Sequence, residues 1–166
     1  MDVPMIALRL IHILGGVFWA GSIFFIVSFL QPAVKASGPA GGQFMQRLVA
    51  TRVLTIVPVL AMLTILSGGF LIWRVAGGSA EWMGSRTGIT LSVGATASVV
   101  GFLIGFFVMR RATLQVLSIA QAAGGSPTPE QQAQIQALQR RARTSAVAVA
   151  HLLAVAVIAM AVARYL

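Results

Sequence analysis

Two side chains within the long apolar runs of this sequence can ionise: His12 and His151. An imidazole carried into lipid costs free energy with little structural return, so each is a candidate functional group. Histidine is also the most versatile haem and metal ligand open to a chain that has no cysteine. The competing reading of each is a neutral histidine that hydrogen-bonds across helices. Gly15, Gly16 and Trp19 follow His12 at i+3, i+4 and i+7 and so share its helical face. Two glycines below a histidine leave a hollow that suits a flat macrocycle or the close approach of another helix. Met5 and Met83 are placed to gather with His12 at one end of the bundle, and such soft donors would suit Cu(I).

Other chemistries are excluded. Without cysteine there is no thiol catalysis, thiolate metal site or covalently attached haem. Asp2, Glu81 and Glu130, the three acidic residues, lie outside the apolar runs, so paired-carboxylate acid–base catalysis is absent. Gly41-Gly42 lacks the Lys-Ser/Thr that completes a phosphate-binding loop.

The elements that must position these residues follow from the charges. Of 166 residues 58% are hydrophobic and 9% charged, too few polar groups to cover a water-soluble globule. Uncharged runs of 25, 21, 23 and 20 residues separate Arg9 from Lys35, Arg52 from Arg74, Arg86 from Arg110 and Arg143 from Arg164. Each can cross a hydrocarbon core of roughly 30 Å as a helix. The expected spans are 6–30, 53–73, 87–109 and 144–164. The first is expected to be a retained span and not a signal peptide, because Asp2 replaces a basic leader and the apolar core is too long.

The formal net charge of +9 reads as a topology signal. Lys35, Arg47 and Arg52 in the first connection, and Arg110, Arg111, Arg140, Arg141 and Arg143 in the third, place both connections in the cytoplasm and both termini outside. These residues would contact anionic lipid headgroups; they cluster at helix ends and do not form a nucleic-acid surface. The first connection, from Gln31-Pro32 through Gly38-Pro39 to Gly41-Gly42, is turn-rich and expected to be irregular until helix resumes near Phe44. Pro58 is expected to kink the second span. In the third connection Val116, Ile119 and Ala123 share a helical face, Gly124-Gly125 stops the helix, and Thr128-Pro129-Glu130-Gln131 restarts one with a capping box. A helical hairpin over 110–143 is therefore expected, each arm about 14 residues or roughly 20 Å long. On this reading His12 lies about 9 Å outside the midplane and His151 about 4–5 Å inside it, an awkward offset for two ligands of one haem.

The stretch Leu8-Arg9-Leu10-Ile11-His12-Ile13-Leu14-Gly15-Gly16-Val17-Phe18-Trp19-Ala20-Gly21 resembles the opening of two families of small bacterial membrane proteins, the copper-resistance D family and the HemJ-type protoporphyrinogen oxidases. The shared feature is the spacing of seven from His12 to Trp19, and Leu66-Ser67-Gly68-Gly69 is similar to the small-residue end of the same pattern. The resemblance covers the first half of the chain and implies haem or copper handling with His12 as ligand. HemJ-like proteins carry a lysine in their third helix; here Thr90, Ser92 and Gly94 occupy that region, which argues against protoporphyrinogen oxidation.

The sequence thus predicts an all-α, integral-membrane four-helix bundle over 1–166, in the bacterial inner membrane. The function expected of it is binding of haem b or copper through His12, with His151 as a second ligand candidate, for electron transfer or metal handling in an assembly with other membrane subunits or further copies of itself. The alternative is a cofactor-free accessory subunit of a larger membrane complex.

Overall fold

The structure, a computed structural model, describes residues 2–124 and 126–166. Gly125, half of the expected helix stop, lies outside them. The described chain is helical throughout, with no strand among the described residues. Helix α1 (Val3–Phe25) continues through a π-helical turn (Ile26–Leu30) into α2 (Gln31–Ala36), and α3 (Gly38–Ala50) folds back before α4 (Val53–Ala76). The short α5 (Ala80–Gly84) leads into α6 (Arg86–Ile104), which passes through a second π turn (Gly105–Met109) into α7 (Arg110–Ala122). Helix α8 (Pro129–Val162) ends in a 3₁₀ turn (Ala163–Tyr165). Four continuous helices, Val3–Ala36, Val53–Ala76, Arg86–Ala122 and Pro129–Tyr165, are long and apolar enough to cross a membrane, which makes this a multi-pass membrane protein.

Local chemistry explains the boundaries. The Asp2 carboxylate caps α1 by accepting from the Met5 amide at 3.1 Å, and it also meets Arg74 at 3.1 Å, tying the start of α1 to the end of α4. That pair is exposed and contributes under about 1 kcal/mol. Gly77 adopts φ +56° and closes α4 in the left-handed conformation that favours glycine. Ser79 and Ser85 cap α5 and α6 through their side chains. At α8 the capping box forms as the sequence predicts: the Thr128 amide donates to Gln131 Oε1 at 2.9 Å, and the Gln131 amide to Thr128 Oγ1 at 3.3 Å. Backbone hydrogen bonding at the helix start, then the Thr128 hydroxyl, holds the Glu130 carboxyl below the ordinary carboxylate range.

The first connection departs from expectation. Helix runs unbroken to Ala36, and α3 begins at Gly38, six residues before Phe44. Prolines in this stretch sit where helices tolerate them: Pro32 and Pro39 both lie in the first turn of a helix. In the wide turn before Pro32 the Gln31 amide reaches back five residues to the Ile26 carbonyl, which makes room for the proline ring. The real break is Gly38 at φ +55°, and Gly41 lies so close to the Val34 carbonyl that a Cβ there would collide with it.

Helix α1 packs along α4 and α6 along α8, with α4 against α6 joining the two pairs. Small residues set the close approaches: Gly15 faces Thr64 and Leu60, and Gly94 faces Ala156 and Ala159. The core is small, centred on Trp19, Ile23, Ala61, Val149 and Leu153, while large apolar side chains such as Val17 and Phe70 stay exposed on the outer faces. Helix α7 packs on the first turns of α8 as the expected hairpin.

Candidate functional site

His12 is half-buried on α1 and faces α4. Its Nδ1 lies 2.8 Å from the backbone carbonyl oxygen of Thr64. A carbonyl only accepts, so Nδ1 carries the proton, and in the neutral imidazole the lone pair is on Nε2. Metal- and haem-ligating histidines are held in this manner, by donating the far ring N–H to a carbonyl or carboxylate that fixes tautomer and orientation. Thr64 remains within α4, and its own hydroxyl is committed elsewhere, donating to the Leu60 carbonyl at 2.8 Å.

Gly68, one turn along α4, supplies the room. A Cβ at this position would lie 2.7 Å from His12 Cε1 and 2.9 Å from Nδ1, so only glycine lets the ring rest against the helix. This corrects the origin of the expected hollow. Gly15 and Gly16 do share the face of His12, but they are filled by the Thr64 side chain, and the open space beside the imidazole comes from Gly68 and Gly69.

The space is a cavity of about 470 Å³, within the range of small-molecule and cofactor sites. His12 and Arg9 line it from α1, Gly68 and Gly69 from α4, Ser98 from α6 and Met160 from α8, and most of the remaining wall is aliphatic. The Ser98 hydroxyl is committed to the Gly94 carbonyl at 2.9 Å. The side-chain groups left to meet a ligand are the His12 imidazole, the Arg9 guanidinium and the Met160 thioether.

The other sequence candidates fall elsewhere. Trp19 is 4% exposed and lines a separate, apolar cavity with Ile23 and Ala61. His151 is exposed on the outer face of α8, its Nδ1 2.8 Å from the Val147 carbonyl of its own helix, and it lines none of the cavities described here. The two histidines do not share a cavity. Met83 borders shallow clefts beside α5, and neither it nor Met5 lines the His12 cavity. Among the described residues no three His, Asp or Glu side chains converge as a metal-binding group. Met160 has nothing to mark it in an Ala/Val-rich helix, and Gly68 stands out in the sequence only as part of the small-residue stretch Ser67-Gly68-Gly69, with no sign that it faces His12. No family model, no curated protein and no solved structure matches this chain.

Proposed function

We propose that this is a haem-binding protein of the bacterial inner membrane, with His12 as a residue that would hold the haem, serving electron transfer or metal handling within a larger membrane assembly. The observation that carries the reading is the Thr64 carbonyl at 2.8 Å from His12 Nδ1, which leaves Nε2 free on the wall of a cofactor-sized cavity. The donor set fits haem b. His12 offers a nitrogen, Met160 a thioether on another wall, and Arg9 a cation for a propionate. Copper fits less well, since His12 and Met160 are the only soft donors lining the cavity. The iron would supply one-electron chemistry; the chain orients its ligand, excludes water with aliphatic walls and balances charge through Arg9. The basic residues at the Lys35, Arg52 and Arg110 end support a cytoplasmic placement of that end and of the α7–α8 hairpin, with both termini outside.

An absorption spectrum of the purified protein tests this. A Soret band that disappears in His12→Ala and persists in His151→Ala is expected. The hairpin, which carries α7 and α8 beyond what a span requires, favours a second reading as a cofactor-free accessory subunit. A colourless, metal-free protein that co-purifies with a larger complex would establish that reading and exclude the first.

A further inference from the structure

The basic end of the bundle holds a second cavity, bracketed by the two π turns: Ile26 and Leu30 line it from one, Gly105 and Phe106 from the other. π turns of this kind recur at functional sites. Helix α3 covers the cavity with Met45, Leu48 and Val49. It has about 100 Å³ of room, enough for several waters, yet its one charged or strongly polar lining residue is Arg110. Space of this kind stays dry and accepts an apolar guest.

Arg110 is held in place by a defect in α4. Pro58 has no N–H, so the Leu54 carbonyl four residues earlier loses its helical donor. Arg110 Nε takes that role at 3.0 Å, and the guanidinium lies over the Phe106 ring at 5.3 Å. The Nη groups have no protein acceptor among the described residues, and Lys35 on α2, Arg47 on α3, Arg52 at the start of α4 and Arg111 on α7 carry charge of the same sign on the helices that supply or adjoin the lining. None of the three acidic residues belongs to α2, α3, α4 or α7.

We propose that this cavity seats a short segment of one acyl chain of an anionic phospholipid from the adjoining leaflet, with the lipid phosphate held by Arg110. Apolar walls select a chain, and an immobilised guanidinium at the wall selects a negative headgroup. The site is independent of any haem at His12.

Trp19 reports on it directly, being 4% exposed and part of the lining. The full-length protein carrying Trp73→Phe and Trp82→Phe is reconstituted in bilayers doped with phosphatidylglycerol or phosphatidylcholine, each with brominated or unbrominated chains. Fluorescence is read as the brominated-to-unbrominated ratio, which cancels any fixed quencher. Brominated phosphatidylglycerol should quench Trp19 with saturation at low mole fraction and an affinity about five-fold above phosphatidylcholine, the preference expected of one basic residue. Gly105→Leu, whose Cβ would meet only Val149 at 4.0 Å, should fill the cavity and abolish saturable quenching. Arg110→Gln should remove the headgroup preference, and Arg110→Lys should retain it. Equal affinity for the two lipids, an unquenched Trp19, or saturable quenching that survives Gly105→Leu would each overturn the proposal.

Discussion

Gly68→Ala, set against Gly69→Ala, isolates the contact on which the His12 site depends. The added methyl at position 68 would lie 2.7 Å from His12 Cε1, whereas at position 69 it meets nothing within 4 Å. Backbone approach is set by the α1–α4 interface, so the imidazole must turn away and give up its bond to the Thr64 carbonyl. The lost hydrogen bond costs about 0.5–1.5 kcal/mol and an off-rotamer ring about as much again. Both variants gain about 1 kcal/mol of helix propensity, so Gly68→Ala alone would show a net loss of only about 0–2 kcal/mol in an unfolding assay. The difference between the two variants, about 1–3 kcal/mol, is the informative quantity. Haem affinity is more sensitive, since removing the partner that orients a ligating histidine typically costs 10–100-fold. Titration of haem into the apoprotein, followed at the Soret band, should show that loss in Gly68→Ala and wild-type affinity in Gly69→Ala. Equal haem affinities and equal unfolding free energies for the pair would refute the placement of the ring against α4.

Three further outcomes are expected. In Pro58→Ala the restored amide satisfies the Leu54 carbonyl within α4, so the destabilisation caused by Arg110→Ala should shrink by about 1 kcal/mol; a double-mutant cycle in detergent that proves additive contradicts the defect-filling role. Thr128→Ala removes one half of the capping box and should cost about 1 kcal/mol of local stability at the hairpin end of α8, read as lost amide-exchange protection over the first turns with no change near Met160. The lowered Glu130 pKa means the native carboxylate is favoured over the unfolded one, so its support of that helix start is present above the ordinary carboxyl value of 4.5 and is lost as pH falls through the lower folded value. Exchange protection at the α8 start should therefore drop on acidification in the wild type and respond less in Glu130→Gln.

The spans were legible because arginine and lysine spacing is a one-dimensional signal: apolar runs bounded by Arg9, Arg52, Arg86 and Arg143 correspond to the four long helices. The capping box at Thr128 was equally legible, because its chemistry lies within four consecutive residues. Prolines misled at Gln31-Pro32, where a widened turn absorbed the ring and let the helix run on. At the site, the face shared by His12, Gly15 and Gly16 could be read from spacing, but its neighbour on α4 could not. Which of many glycines stands opposite the imidazole depends on the register between α1 and α4, and no periodicity encodes that. The partner atom is also a backbone carbonyl, which carries no residue signature. Met160 and the outward turn of His151 depend in the same way on the rotation of α8 about its own axis.

The two cavities lie in sequence along the bundle and share no lining residue. From α1 the first takes Arg9 and His12 and the second begins at Trp19; from α4 the first begins at Thr64 and the second ends at Ala61; from α6 the division falls between Val99 and Gly101. Trp19 and Ala61, 4% and 1% exposed, close the layer between them. A residue enlarged in that layer therefore acts on packing common to both, whereas Gly68 and Gly105 each act on one. If Gly105→Leu altered a His12-dependent spectrum, or Gly68→Ala altered the response of Trp19 to brominated lipid, the barrier would not hold and a single continuous channel would be the better description. Independent responses would mean that the bundle divides its interior by depth, with the imidazole and its cation at one end and a basic-gated apolar recess at the other.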